Sequence, residues 1–334
     1  MVSISISRAE RKDLFKGLAF LSPWILGFIA FTALPVGLCL YYSFCDYSLL
    51  KPPMFRGFEN YQTLFADKDI FWNSLEVTGY YAALSIPLGL ILSLALALLL
   101  NVKTPGQTIY RTIIFLPSLV PAVAAAMLWL WLLNPKLGAV NILLSKLGDN
   151  FVAHALIYAT RKVGIVYLLR KAHVISLMHK LGFDHTPGWY ADVHWAMPSL
   201  VLMSLWGVGN TVIIYLAGLQ DVPRELYEAA DLDGAGTVGK ILNVTIPCIS
   251  PVIFFNLIMA IIGAMQVFTN AMIITQGGPV RATNFYTMAV YDKAFNTLKM
   301  GEASAMAWIQ LLIILALTAL AFWTSKHWVH YQGK

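Results

Sequence analysis

Six stretches of this chain run for more than about 20 residues without one Asp, Glu, Lys or Arg: 17–45, 77–102, 112–135, 195–220, 241–280 and 303–325. A charge is costly in hydrocarbon and an apolar helix of about 20 residues crosses a bilayer, so such windows dictate membrane-crossing helices. Composition agrees. With 58% hydrophobic and only 12% charged residues, the chain lies far from the soluble norm of about 25% charged, which excludes an ordinary soluble globular domain. The window between Lys240 and Arg281 is long enough for two crossings. Pro247 and Pro251 mark an entrance, however, and Gly277-Gly278-Pro279 an exit, so one span is expected near 250–275. The others are expected near 17–44, 77–101, 112–134, 195–219 and 303–324. An even count puts both termini on one side.

The first window follows Arg8, Arg11, Lys12 and Lys16, as a secretory leader would. Its 29 uncharged residues exceed the about 7–15 of a leader's apolar core, and no small-residue cleavage site follows, so it reads as a retained helix. With the N-terminus cytoplasmic, the inner segments hold ten Lys/Arg and the outer ones thirteen, but seven of the thirteen fall in the 59-residue connection 136–194. At that length the positive-inside rule loses force, and without it the balance is ten to six for N-in. The expected layout is a cytoplasmic segment 1–16, a transmembrane region 17–325, an extracytoplasmic connection 136–194, a cytoplasmic loop 221–247 and a cytoplasmic tail 326–334. The connection contains two apolar runs, 151–160 and 163–169, too short to cross and better suited to amphipathic helices on a surface. His154, His173, His179, His185 and His194 lie there without metal-ligand spacing, and Cys39, Cys45 and Cys248 suggest neither a metal site nor a disulfide framework.

Between the fourth and fifth windows lies the chain's most distinctive polar stretch, Glu228-Ala229-Ala230-Asp231-Leu232-Asp233-Gly234. Gly234-Ala235-Gly236-Thr237-Val238-Gly239 matches the dinucleotide fingerprint, and with Lys240 nearly a P-loop. Both matches fail on context. The preceding residues are polar and helix-prone, no Asp or Glu occurs between Asp233 and Asp292 to hold a ribose, and Ile241 stands where a P-loop needs Ser or Thr for magnesium. What remains is a short helix starting at Pro223 with Glu225 and Glu228 toward its positive dipole end, closed by glycines. Small Ala229, Ala230 and Ala235 would allow close approach of a partner, and Glu228 and Asp231 would meet a basic one. The residues alone leave open whether this is a docking element or a plain amphipathic connector.

Ala217-Gly218-Leu219-Gln220, Pro223, Glu228-Ala229-Ala230, Asp233-Gly234-Ala235 and Ile246-Pro247 together resemble the EAA signature of permease subunits of binding-protein-dependent ABC importers. Ile246 replaces the usual leucine. Gly57-Phe58-Glu59-Asn60-Tyr61, Arg111-Thr112, Phe115-Leu116-Pro117, Thr275, Gly277-Gly278-Pro279 and Ala294-Phe295 resemble the carbohydrate-uptake branch, similar to maltose and glycerol-3-phosphate permeases. The resemblance runs from about residue 16 to 325, poorest over 145–190. It implies an all-α integral membrane fold of six transmembrane helices, the type I importer permease fold, in a bacterial or archaeal plasma membrane. It also implies a second permease subunit in a heterodimer, two ATPase subunits carrying ATP and Mg, an extracytoplasmic solute-binding protein and a sugar substrate. No cofactor, catalytic residue, metal or nucleic acid is implied for this chain. Glu228, Ala229, Ala230, Asp231, Gly234 and Ala235 would then seat in a cleft of the ATPase.

Polar side chains within the windows are the candidates for the substrate path: Trp206 and Asn210, Gln266 and Asn270, and Gln310. The first two pairs are four residues apart, so on continuous helices each would share a face, an aromatic beside an amide being suited to sugars. For any single one of these residues, helix-to-helix hydrogen bonding or interfacial tryptophan is the simpler explanation. Ala303 and Ala307 are small enough to pack against a second permease. A secondary transporter or channel is the alternative, but ion coupling usually places ionisable groups inside spans, and the six windows contain none.

Overall fold

The charge-free windows fold as helices, which satisfy every backbone N–H and C=O without water. The structure, a computed structural model, describes residues 8–102, 104–143 and 188–330. Among the described residues, four helical runs are long and apolar enough to cross a bilayer: Phe15–Ser43, Lys68–Asn101, Ser250–Ile274 and Met300–Ser325. Two bent pairs, Gln107–Leu119 with Ala122–Leu132 (98°) and Val193–Trp206 with Gly209–Gln220 (47°), bring the crossings to six when each pair counts as one. The runs 151–160 and 163–169, with His154, His173, His179 and His185, lie outside the described residues.

The bends have local causes. The span expected over 112–134 is not one rod, because Pro117 sits in a 3-10 turn, Leu116–Leu119, and Pro121 follows. Val120 precedes that proline and is pushed to extended backbone at φ −72°, ψ 127°, so the chain turns before Ala122–Leu132 begins. The break after Trp206 falls at Gly207, and that after Met265 at Gln266, with Phe268 at φ −142° before Thr269–Ile274 resumes.

The chain divides into two units. The first comprises residues up to Asp67 together with Val290–Leu311. Its leading span is apolar and outward-facing, with Phe20 90% and Phe31 85% exposed, as a surface against lipid or a partner requires. It ends in a hairpin, Cys45–Ser48 paired antiparallel with Lys51–Phe55, and a helix, Glu59–Ala66. Asn60 Nδ2 donates to the Ser43 and Cys45 carbonyls at 2.9 and 2.8 Å, fixing the helix to the hairpin's base. Gly301 passes so close that an added Cβ would collide with the Cys45 carbonyl oxygen. Buried Lys293 pairs with Glu302 at 2.7 Å and Asp67 at 3.5 Å, while Lys299 shares the same carboxylate at 2.7 Å. Burial disfavours the charge on Lys293, but the hydrogen bonds and charges of Glu302 and Asp67 outweigh it and hold its pKa above the ordinary lysine value. Ala303, expected to face a second permease, is 4% exposed and so already buried within this chain.

The second unit, Lys68–Ala289 with Leu312 onward, is built around the long helix Asn73–Asn101. Gly209–Gln220, Ser250–Met265 and Val193–Trp206 pack on it. Small residues permit the approach: a Cβ on Gly209 would lie 2.7 Å from the Ile114 carbonyl oxygen, and one on Gly218 would lie 2.7 Å from Val252 Cγ2. Two apolar clusters form, one around Tyr81, Met197, Leu200 and Phe285, the other around Ala97, Leu100, Tyr215, Leu219 and Ile249. Thr78 Oγ1 accepts the Tyr286 N–H at 2.8 Å, tying the long helix to the helix Tyr286–Tyr291. The ends of the 136–194 connection meet, since Trp189 Nε1 donates to Asn141 Oδ1 at 2.7 Å.

Candidate functional site

The polar stretch forms a nine-residue helix, Arg224–Leu232, about 13 Å long at 1.5 Å per residue. Pro223 precedes it at ψ 133° and Glu225 lies in its first turn, both favourable at a positive helix end. Its far end closes as a Schellman turn: the Ala235 N–H donates to the Ala230 carbonyl at 2.9 Å and the Gly234 N–H to that of Asp231 at 3.1 Å. Gly234 sits at φ +76°, where a side chain would be strained. The glycines that mimic a nucleotide loop therefore cap one helix and start the next, Thr237–Lys240, and a helix rather than a strand precedes them.

One side of this helix is anchored. The Tyr227 and Thr245 hydroxyls are 2.9 Å apart, and Val222 is buried against the cluster of Leu100, Leu219 and Ile249. Asp231, expected to meet a partner, pairs with Lys240 of this chain, leaving Glu228 as the exposed carboxylate of the central turn. Around it Ala229 and Gly234 are exposed, Ala230 and Ala235 half-buried. Leu232 is 91% exposed and Val238 68%, an apolar rim that water disfavours. The result is a rigid stub with an acidic centre and greasy edges.

Within the same unit a cavity of about 280 Å³ opens between the long helix and the two broken spans. Its polar groups come from Tyr81, Ser85, Ser204, Thr211 and Asn256, and Gly89, Gly207 and Gly263 keep its walls open. Asn256 is 4% exposed, and its Nδ2 makes no hydrogen bond of standard geometry. No acidic or basic side chain lines the space. Hydroxyls and an amide set in apolar walls suit a neutral hydroxylated ligand.

The expected substrate residues do not line this cavity. Trp206 ends one helix and Asn210 lies in the next, across the 47° bend, so they share no helical face. Trp206 packs edge-on against Trp129 with centroids 6.0 Å apart, and exposed Asn210 accepts from Ser118 Oγ at 3.4 Å. Gln266 and Asn270 are likewise separated by the break at 266–268, Gln266 exposed and the Oδ1 of Asn270 buried without a hydrogen bond. Gln310 belongs to the other unit and is half-buried there. Serines, threonines and glycines carry the cavity instead, residue types that ordinary helix packing also uses; the one signal pointing to them was glycine at the breaks. Among the described residues no group of three or more His, Cys, Asp or Glu could hold a metal, and His194 lies 3.3 Å from Asp192 at a helix N-terminus.

The model of the family described as binding-protein-dependent transport system inner membrane component matches residues 85–328, well over half the chain. The chain is 37% identical over 331 residues to the probable ABC transporter permease protein YesP of Bacillus subtilis (strain 168), covering 98% of this chain and 96% of that one. It is 30% identical over 289 residues to the sulfoquinovosyl glycerol transport system permease protein SmoG of Agrobacterium fabrum, covering 86% and 82%. A chain in the crystal structure of a bacterial alginate ABC transporter, in complex with an alginate pentasaccharide-bound periplasmic protein, superposes with a TM-score of 0.73. That match covers 94% of this chain and 95% of the other at 23% identity.

Proposed function

Because the chain belongs to the family of binding-protein-dependent transport system inner membrane components, it is a membrane-spanning permease subunit of an ABC importer, and we propose that it moves a neutral sugar or glycoside under the control of the helix Arg224–Leu232. The observation that carries this reading is the helix itself. It is held to its own chain at Tyr227 and capped at Gly234, yet presents Glu228, Leu232 and Val238 outward. Such a stub transmits displacement only if something grips it. A cytoplasmic ATPase dimer supplies the grip, ATP and Mg residing there and not on this chain. Closing of the ATPase drags two such helices, one from each permease subunit, and differential contact with the two ATPase states shifts the pore between outward and inward access.

In this reading the N- and C-termini, the segment 1–16, the loop 221–247 and the tail 326–334 are cytoplasmic, and 136–194 faces the solute-binding protein. The second permease completes the pathway in a heterodimer. The uncharged cavity beside Ser204, Thr211 and Asn256 supports a neutral polyhydroxylated substrate, while the kinship with a permease named for sulfoquinovosyl glycerol, an anionic sulfonated glycoside, supports the glycoside class alone. The test is Glu228→Lys in the assembled importer. Uptake and substrate-stimulated ATP hydrolysis should both fall at least about tenfold, as expected when a charge-assisted contact becomes a repulsion, while membrane insertion and copurification with the second permease persist. Wild-type uptake by this variant would refute the docking assignment.

A further inference from the structure

A second cavity in the same unit, of about 290 Å³, lies apart from the hydroxyl-lined one and contains an unmatched charge. Arg111, on the helix Gln107–Phe115, extends into it. Among the described residues its guanidinium makes no ion pair. Its one hydrogen bond goes from Nη2 to the Leu100 carbonyl at 3.4 Å, and its Nε is fully enclosed without a partner. A guanidinium has five N–H donors, so most of this one's capacity is unused. The negative end of the helix Asn73–Asn101 offsets part of its charge and no more.

Apart from the amide of Gln220, the rest of the wall is apolar, with Leu100, Ile114, Phe115, Ile213 and Leu216. Its level in the bilayer is fixed by three landmarks. Leu100 is next to the last residue of one crossing, Gln220 is the last residue of another, and Arg111 follows the turn at Gly106 that links the second and third crossings. The cavity therefore spans the edge of the hydrocarbon, where lipid phosphates lie. Beside the arginine, Ile109, Tyr110, Ile113 and Leu116 are between 53% and 65% exposed, so this helix already faces an apolar medium.

From the unpaired guanidinium, its depth and the greasy wall beyond it, we infer that this cavity is a binding site for an anionic phospholipid, its phosphate on Arg111 and the start of an acyl chain against Ile213 and Leu216. The phosphate supplies the charge that no described residue provides, in the fork geometry arginine favours. A lipid in this place bridges the second, third and fourth crossings close to the helix Arg224–Leu232 and ties their ends together.

The test is native mass spectrometry of the full-length protein, with whatever subunits copurify, titrated with phosphatidylglycerol, phosphatidylcholine or inorganic phosphate. Wild type should retain one phosphatidylglycerol more than Arg111→Gln, with about tenfold weaker binding in the variant, the size expected for losing a charged hydrogen bond. Ile213→Trp, which fills the apolar half and keeps the charge, should lose the same lipid, and melting temperatures in lipid-free detergent identify any variant that fails to fold. Equal phosphatidylglycerol retention by wild type and Arg111→Gln overturns the inference. So does equal retention of phosphatidylcholine, or saturation by inorganic phosphate alone. Loss of the second permease from Arg111→Gln with lipid retention unchanged also overturns it and assigns the arginine to a protein carboxylate.

Discussion

Replacing Gly234 isolates a backbone effect from every other. Its φ of +76° lies in the left-handed region, and a Cβ built there meets no atom within 4 Å, so a side chain adds torsional strain without a clash. Alanine should cost about 1 kcal/mol, asparagine less because it tolerates this region, and valine more because it is branched at Cβ. The groups that lose protection are known: the Gly234 and Ala235 N–H donors of the Schellman turn. A cost of about 1 kcal/mol is about a fivefold shift between capped and open turn. Hydrogen exchange of the peptide spanning 224–240 should therefore speed up about fivefold in Gly234→Ala, less in Gly234→Asn and more in Gly234→Val, with exchange elsewhere unchanged. Stimulated ATP hydrolysis should fall in the same order, since a frayed stub transmits less displacement. Equal exchange in glycine and valine forms, or asparagine worse than valine, would refute the torsional argument.

Thr78→Val removes the buried oxygen that accepts the Tyr286 N–H and should cost about 1–3 kcal/mol, whereas Thr78→Ser should cost little; thermal unfolding in detergent distinguishes them. Glu302→Gln takes the shared carboxylate from Lys293 and Lys299 and should cost about 3 kcal/mol, the low end for a broken buried pair because Asp67 remains, with partial recovery when Lys293→Met is added. The Lys293 contribution has a defined pH window. Its folded pKa exceeds the ordinary 10.5, so the stabilisation is fully present below that pH and disappears only as pH rises through the raised value, which melting curves across alkaline pH would follow.

Much of the architecture is legible in the sequence because hydrocarbon enforces a simple rule on charge. The windows around 77–102 and 303–325 became the helices Asn73–Asn101 and Met300–Ser325 with ends displaced by only a few residues. The connector helix was equally readable, since Pro223 and Gly234 are start and stop signals with a stereochemical meaning. Interruptions were not. Pro117 and Pro121 announce a kink but not one of 98°, Gly207 alone hints at the break after Trp206, and nothing in Gln266-Val267-Phe268 declares that the helix stops there. Reasoning by four-residue spacing assumes an unbroken helix, so both polar pairs were paired wrongly and the cavity was missed. The pairing of Asp231 was not legible for another reason: its partner Lys240 comes near only after the chain turns at Gly234.

Two of the interrupted spans meet the hydroxyl-lined cavity at their interruptions, through Gly207, Val208 and Val267. An intact rod communicates any tilt along its whole length, whereas a rod cut midway allows each half its own history. Mutations that reshape the wall on one side of a break need not disturb the end that carries the connector helix. Such a subunit can acquire new cargo over evolutionary time while keeping the engine to which it is fitted.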